Sequence, residues 1–342
     1  MRAMKNKFLV IFFIVFGLLW GNIGSMRAVS VTLTVDEMTP RPIGLERAER
    51  NLSKVLTEIN RAQKAGAILV TKGFMMDDFA LKSLVRLWAV TPFYCDDEEV
   101  VERCWIFKDG SMMVSHIPLI ITPKDEAFGM GTYQEAVVEF DKNGKITDFR
   151  LALDAQTAES LERCGATVDK EKSMIILQYI ERFRTAYNQR DIETIEKMFS
   201  DDALIITGKV VIQKPLNEVM PATAKVEYTK QNKQQYIRNL KLAFARNKWI
   251  DVKFSQIGEN SEQGGCAGIT RSRVDPTKYG VRLHQEWKSS NYSDEGYLFL
   301  LWEFPEDGRD PIIHVRTWQP QWVNGKMQQP DESNVPLGGF DL

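Results

Sequence analysis

The chain has 342 residues, 44% hydrophobic and 26% charged, enough apolar material for two ordinary folded domains and too much for a disordered or fibrous chain. Forty-four basic residues against 46 acidic ones give a net charge of −2. The basic residues are scattered, with no stripe to neutralise a row of phosphates, so nucleic acid is not an expected partner.

Residues 1–28 read as a signal peptide. Arg2, Lys5 and Lys7 precede the uncharged run FLVIFFIVFGLLW (8–20), and the small residues of GNIGSMRA follow. That run would rise only about 20 Å as a helix, against a bilayer core of roughly 30 Å, so cleavage and export are expected rather than stable membrane insertion. The expected location is periplasmic or extracellular. Removing Arg2, Lys5, Lys7 and Arg27 with this segment leaves 40 basic residues against 46 acidic ones, a net charge of −6.

After an exported segment, 29–44, the stretch LERAERNLSKVLTEINRAQ puts Leu45, Ala48, Leu52, Val55, Ile59 and Ala62 on one helical stripe. A second helix, FALKSLVRLW, follows Asp77 and Asp78, which are suited to cap it. The period then changes to two in VVERCWIF, MVSHIPLIIT, TYQEAVVEF and KITDFRLAL, the pattern of successive strands, with Asn143-Gly144 suited to a tight hairpin. TAESLERCG reads as a helical linker ending the first unit, 45–168.

Four cysteines, Cys95, Cys104, Cys164 and Cys266, lie in the exported part, where disulfides are permitted. Cys95 and Cys104 are the nearest pair and the best local disulfide; isolated buried thiols are the alternative. Their spacing does not match a zinc knuckle, and neither a metal nor a cofactor is expected. The acidic run Asp96 to Glu99 between them reads as a solvated turn.

The second unit, 169–320, repeats the order. MIILQYIERFRTAYNQR places Ile176, Ile180, Phe183 and Tyr187 on one face, and DIETIEKMF starts a short helix capped by Asp191. The strand ALIITGKVVI, the helix NKQQYIRNLKLAFARN and the strands WIDVKFSQI, YGVRLHQEW, GYLFLLWEF and PIIHVRTW follow. The tail, 321–342, is rich in Pro, Gly and Gln and reads as irregular. The hairpin EAVVEFDKNGKITDFRLAL (135–153) has an echo in FLLWEFPEDGRDPIIHVRTW (299–318).

Helices followed by an antiparallel meander predict an α+β class, with a curved sheet wrapped around helices in each of two cone-like units. The run YIERFRTAYNQRDIETIEKMFSDDALIITGKVV, then a helix, then long strands, resembles the nuclear transport factor two-like superfamily, which includes ketosteroid isomerase and SnoaL-like cyclases. The resemblance covers Met174 to Trp318 and rests on order and pattern. It makes the first half a reduced copy lacking the third helix, and the tandem resembles secreted two-unit proteins of Bacteroidetes-like bacteria. It implies a cone able to hold an apolar ligand, although the fold alone does not specify function.

The aromatics Tyr187, Trp249, Trp287 and Trp302 are the ligand-pocket candidates, with core packing as the competing reading. Strand alternation puts His284, Glu286, His314, Arg316 and Trp318 on the outer sheet face, as a solvated face or an interaction surface. No catalytic residue is assigned, and neither a Gly-rich phosphate loop nor a G-x-S-x-G elbow occurs. The expected function is exported binding of a small apolar ligand or a protein partner, including a homodimer formed through a sheet face. The alternative is an isomerase, cyclase or hydratase using an acid-base site in the second cone.

Overall fold

The computed structural model describes residues 28–90, 92–122, 132–153, 170–213, 223–255, 257 and 269–328. The expected signal peptide, the helical linker, Cys164, Cys266 and most of the tail lie outside them.

The first unit begins with β1 (Ser30–Thr34), α1 (Leu45–Lys64) and α2 (Asp78–Val90). Then come β2 (Phe93–Tyr94), β3 (Glu99–Ile106), β4 (Met112–Ile121), β5 (Thr132–Phe140) and β6 (Ile146–Leu151). The sheet runs β1-β3-β4-β5-β6, with β2 on β4; only the β1–β3 pairing is parallel. The expected α1 stripe is wholly buried against Val114, Ala136, Val138, Phe140 and Phe149, because residues three and four apart share one helical face.

Asn51 interrupts that stripe and is itself buried. Its amide donates to Met75 O at 2.7 Å and Gly144 O at 3.3 Å and accepts from Met75 N at 3.1 Å, tying the β5–β6 turn to α1. Gly144 takes φ +83°, and a Cβ there would stand 2.6 Å from Ala48 N. Glycine therefore does two things in this hairpin: it turns the chain and lets the turn touch the helix.

The second unit contains α3 (Lys170–Asn188), α4 (Ile192–Met198), β7 (Phe199–Gln213), β8 (Thr223–Asn232) and α5 (Lys233–Arg246). Asp191 caps α4 through Thr194 N, and Asn232 and Gln235 form a capping box at α5. Next are β9 (Ile250–Ser255), β10 (Ile269–Arg271), β11 (Lys278–Ser289), β12 (Ser293–Glu303) and β13 (Ile312–Pro320). This sheet runs β10-β11-β12-β13-β7-β8, with β9 on β11 and a parallel β13–β7 pairing. A small hairpin, β14 (Trp322–Val323) and β15 (Lys326–Met327), structures part of the tail expected to be irregular.

The class is α+β in two cone-like units. The first core draws on Val29 to Leu151 and the second on Leu153 to Ile313. The echoed hairpins are β5–β6 and β12–β13, but their surroundings differ: β13 is covered by the β7–β8 hairpin, whereas β6 ends its sheet.

That open side of the first unit receives α3. One face of α3 supplies Ile176, Ile180, Phe183 and Tyr187 to its own core, while Gln178, Glu181, Arg182 and Thr185 meet the outer face of β4–β6. Arg150 is 1% exposed there and contacts Glu139 at 2.6 Å, Asp148 at 2.8 Å and Glu181 at 3.0 Å. Arg182 closes the network on Glu139 at 2.8 Å and Asp148 at 2.7 Å. Burial pushes the Asp148 carboxyl up, but Arg182 and Arg150 outweigh it and hold Asp148 below its ordinary value; for Glu181 burial prevails and the value is raised. Arg184 donates to Val252 O, Ala152 O and Gln134 Oε1, and Gln189 donates to Ser83 O and Oγ, so α3 is hydrogen-bonded to both units.

Cys95 and Cys104 are both buried free thiols, which corrects the expected disulfide. Cys104 lies in β3 inside the first core, while Cys95 is held in its loop by paired hydrogen bonds to Asn60. Burial raises both thiols to about 11, as it does for cysteines serving as small core hydrophobes.

Candidate functional site

Residues paired across a sheet share a face. On β12, Leu298, Leu300 and Trp302 point into the second core, whereas Phe299, Leu301 and β13's Val315 form a separate cluster on the opposite side. Their partners follow: Tyr279, Val281, Leu283, Gln285 and Trp287 of β11 lie on the concave side, and Arg282, His284 and Glu286 on the convex side.

The alternation expected along β13 breaks. A bulge between Ile313 and Val315 shifts the register, so that Ile313 pairs Trp302, Arg316 pairs Leu300 and Trp318 pairs Leu298. One extra residue moves every later side chain to the other face. Arg316 and Trp318 are thus buried on the concave side, at 6% exposure each, which corrects their outer-face assignment.

His284 stays on the convex face, with Nε2 3.0 Å from Gln321 Oε1 and Nδ1 3.3 Å from Ser255 Oγ. His314 sits in the bulge with Nε2 2.6 Å from Glu303 Oε2, and Glu286 pairs with Lys288 at 3.1 Å. These three are therefore engaged within the chain and do not converge with Arg316 and Trp318. Among the described residues no group of three His, Cys, Asp or Glu is arranged to hold a metal ion.

The pocket aromatics separate too. Trp302 is fully buried, packed with Phe183, Tyr179 and Phe304, and belongs to the filled part of the cone. Trp249 lies half-buried in the turn between α5 and β9, outside the core cluster. Tyr187 and Trp287 meet edge to face with ring centres 6.0 Å apart, and Trp287 is only half-buried. This pair borders a polar constellation that strand alternation alone did not reveal.

Its parts come from five elements. Tyr187 of α3 and Tyr236 of α5 hydrogen-bond through their hydroxyls. The Arg316 guanidinium lies 5.4 Å from the Tyr236 ring centre, and its Nη2 donates to Gln285 Oε1 at 3.3 Å. Asp294, opposite Trp287, accepts from Tyr292 at 2.6 Å. Gly296 leaves room for the indole of Trp318, whose Cζ2 would stand 2.9 Å from any Cβ added there.

Within this constellation Arg316 Nε, Trp318 Nε1 and Asp294 Oδ1 are buried without a hydrogen-bond partner. Burial pushes the Asp294 carboxyl above its ordinary value, against the Tyr292 hydrogen bond and the nearby Arg316 charge. Burial also pushes the Tyr187 phenol well up, Tyr236 adds to the shift, and Arg316 opposes it. The arrangement combines an apolar wall with a cationic donor, a neutral donor and a carboxyl raised by burial.

No family model matches the chain, and no curated protein matches it. Among solved structures, it is similar to a nuclear transport factor two-like protein of unknown function from Shewanella oneidensis, with 12% identity over 43% of this chain and 98% of that one, at a TM-score of 0.30. A second such protein of unknown function, from Pseudomonas putida, shares 13% identity over 48% of this chain and 98% of its own, at a TM-score of 0.31. A conserved protein from Planctomyces limnophilus shares 11% identity over 44% of this chain and 99% of its own, at a TM-score of 0.30.

Proposed function

We propose that the protein is an exported binding protein whose second unit holds a small, largely apolar organic molecule against the concave sheet and releases it unchanged. The observation that carries this reading is that three of the six buried side-chain polar atoms left without partners among the described residues, Arg316 Nε, Trp318 Nε1 and Asp294 Oδ1, lie on one face beside Tyr187, Tyr236 and Trp287. Buried polar atoms in folded proteins are nearly always satisfied, so atoms left open on a shared face suit a ligand's polar end. The convex residues His284, Glu286 and His314 already have partners within the chain, which favours the cone over that face as the binding surface.

An acid-base enzyme is the second reading, favoured by the raised carboxyl of Asp294 beside a buried cation. One experiment separates the two: purified intact protein is screened by thermal shift against apolar small molecules, and each stabilising compound is recovered and weighed by mass spectrometry. Binding predicts a raised melting temperature and unchanged mass. Repeated conversion that stops in Asp294→Asn would establish the enzyme instead.

Export rests on the sequence of residues 1–28. Intact-mass measurement of secreted protein should find a mature start between about residues 25 and 29. A retained Met1 in a membrane pellet would reverse this.

A further inference from the structure

The buried arginines Arg150 and Arg184 contrast with a third. Arg150 has three carboxylates, and Arg184 has two backbone carbonyls and a side-chain amide oxygen. Each buried guanidinium in the interface between the units is thus matched by acceptors, as the cost of burying a charge requires. Arg316 is treated differently. It is 6% exposed, its Nη2 has one long bond to the neutral Gln285, the neutral Tyr187 hydroxyl interacts with the guanidinium, its Nε has no partner, and among the described residues no carboxylate stands within ion-pair distance. A guanidinium carries five donors in a fixed fork and never loses its charge, so this one is short of both acceptors and a counter-charge.

A second unpartnered donor lies on the same face. Trp318 lies two residues along β13 on the same face, equally buried, and its Nε1 also lacks an acceptor. Asp294, the nearest carboxyl influence on Arg316, already gives one oxygen to Tyr292, and burial favours its neutral form. What this end of the cone lacks is a negative acceptor, and the surrounding rings of Tyr187, Tyr236 and Trp287 supply an apolar wall beside it.

We propose that the ligand of the second unit is an organic carboxylate, its head group accepting from Arg316 Nε and Trp318 Nε1 and its apolar body lying against Tyr187, Tyr236 and Trp287. This rests on the reading of the concave face as the binding site and names the chemical class it selects. A carboxylate suits the site because its two oxygens can accept from the two open donors, one of them cationic, and a charge-assisted bond in a buried site discriminates strongly against a neutral isostere.

The test is calorimetric titration of the intact chain with matched pairs: 4-phenylbutyrate against 4-phenylbutanamide, and octanoate against octanamide. The acids should bind about tenfold or more tighter than their amides, the discrimination of a charge-assisted hydrogen bond. Arg316→Met should abolish that preference. Trp318→Phe, which keeps a ring and removes only the donor, should weaken the acids several-fold while leaving the amides nearly unchanged, and it serves alone if Arg316→Met does not fold. Acids and amides binding equally well, or acid binding indifferent to both substitutions, would overturn the carboxylate assignment and leave the cone as a binding site. Failure of all four probes to bind would overturn the cone reading with it, and an acid preference unchanged in Trp318→Phe but lost in His284→Ala would move the site to the convex face.

Discussion

Replacing Arg150 by Met tests how the two units are held together. The guanidinium is 1% exposed and makes the ion pair of Glu181 found among the described residues; without it, Glu181 keeps the hydrogen bond from Leu153 N at 3.1 Å and the longer-range influence of the Arg184 charge. Arg182 would still serve Asp148 and Glu139. The variant therefore leaves about one buried carboxylate uncompensated, for which the expected loss is about 3–5 kcal/mol. At roughly 2–4 °C per kcal/mol for a chain of this order, scanning calorimetry of the full protein at pH 7.5 should show a melting temperature lower by roughly 6–20 °C. The pH dependence supplies a sign. Arg150 lowers the values of Glu181 and Asp148 in the folded protein, so removing the cation raises both, and the folded variant binds protons more readily than the folded wild type. Its deficit is then largest above those raised values and shrinks as the pH falls through them. A loss below about 1 kcal/mol at pH 7.5, or a deficit that grows on acidification, would refute the account of this interface.

Asp294→Asn should flatten the pH dependence of 4-phenylbutyrate binding. Above about pH 5.5 the probe is ionised, and its affinity for the wild type should be lower where Asp294 is ionised than where it is protonated, since an ionised Asp294 competes for Arg316; the phenols of Tyr187 and Tyr292, which also face it, are raised by burial. A steeper fall in the variant would remove Asp294 from the site. Cys95 and Cys104 should resist a thiol reagent at pH 8 in the folded protein and react on unfolding, because burial holds both near 11; a mass two daltons lower under non-reducing conditions and shifted by reductant to release these two thiols would restore the disulfide. Gly144→Ala should lower stability by more than 1 kcal/mol or so, since φ +83° and the 2.6 Å approach to Ala48 N both oppose a Cβ; an unchanged denaturation midpoint would contradict the close turn.

The helices were legible because their apolar stripes repeat every three to four residues over long runs, and Asp191 and Asn232 lie where caps belong. The strands β5, β11 and β12 were legible for the corresponding reason of period two. β8 was not, because TAKVEYTKQN covers a sheet edge with Lys, Glu and Thr and carries almost no apolar signal. β1 was missed because five residues with two buried valines or leucines among exposed threonines and serine are too few to register a period. The site was half legible. Tyr187 and Trp287 were named from their elements, but Arg316 and Trp318 were put on the wrong face because counting alternate residues through Ile313 and Val315 assumes an unbroken pleat. Nothing in PIIHVRTW marks a bulge, since neither glycine nor proline interrupts the strand where it occurs. The disulfide failed for a different reason: nearness in sequence says little about whether two cysteine side chains share a site, and each of these is enclosed by its own neighbours.

A crystal structure of the intact protein grown with 4-phenylbutyrate tests the central claim most directly. The account predicts a carboxylate within about 3.2 Å of both Arg316 Nε and Trp318 Nε1, with the phenyl ring against Tyr187 and Trp287. A probe bound elsewhere, or a concave face whose donors are satisfied by ordered water with the probe present at saturating concentration, would contradict it.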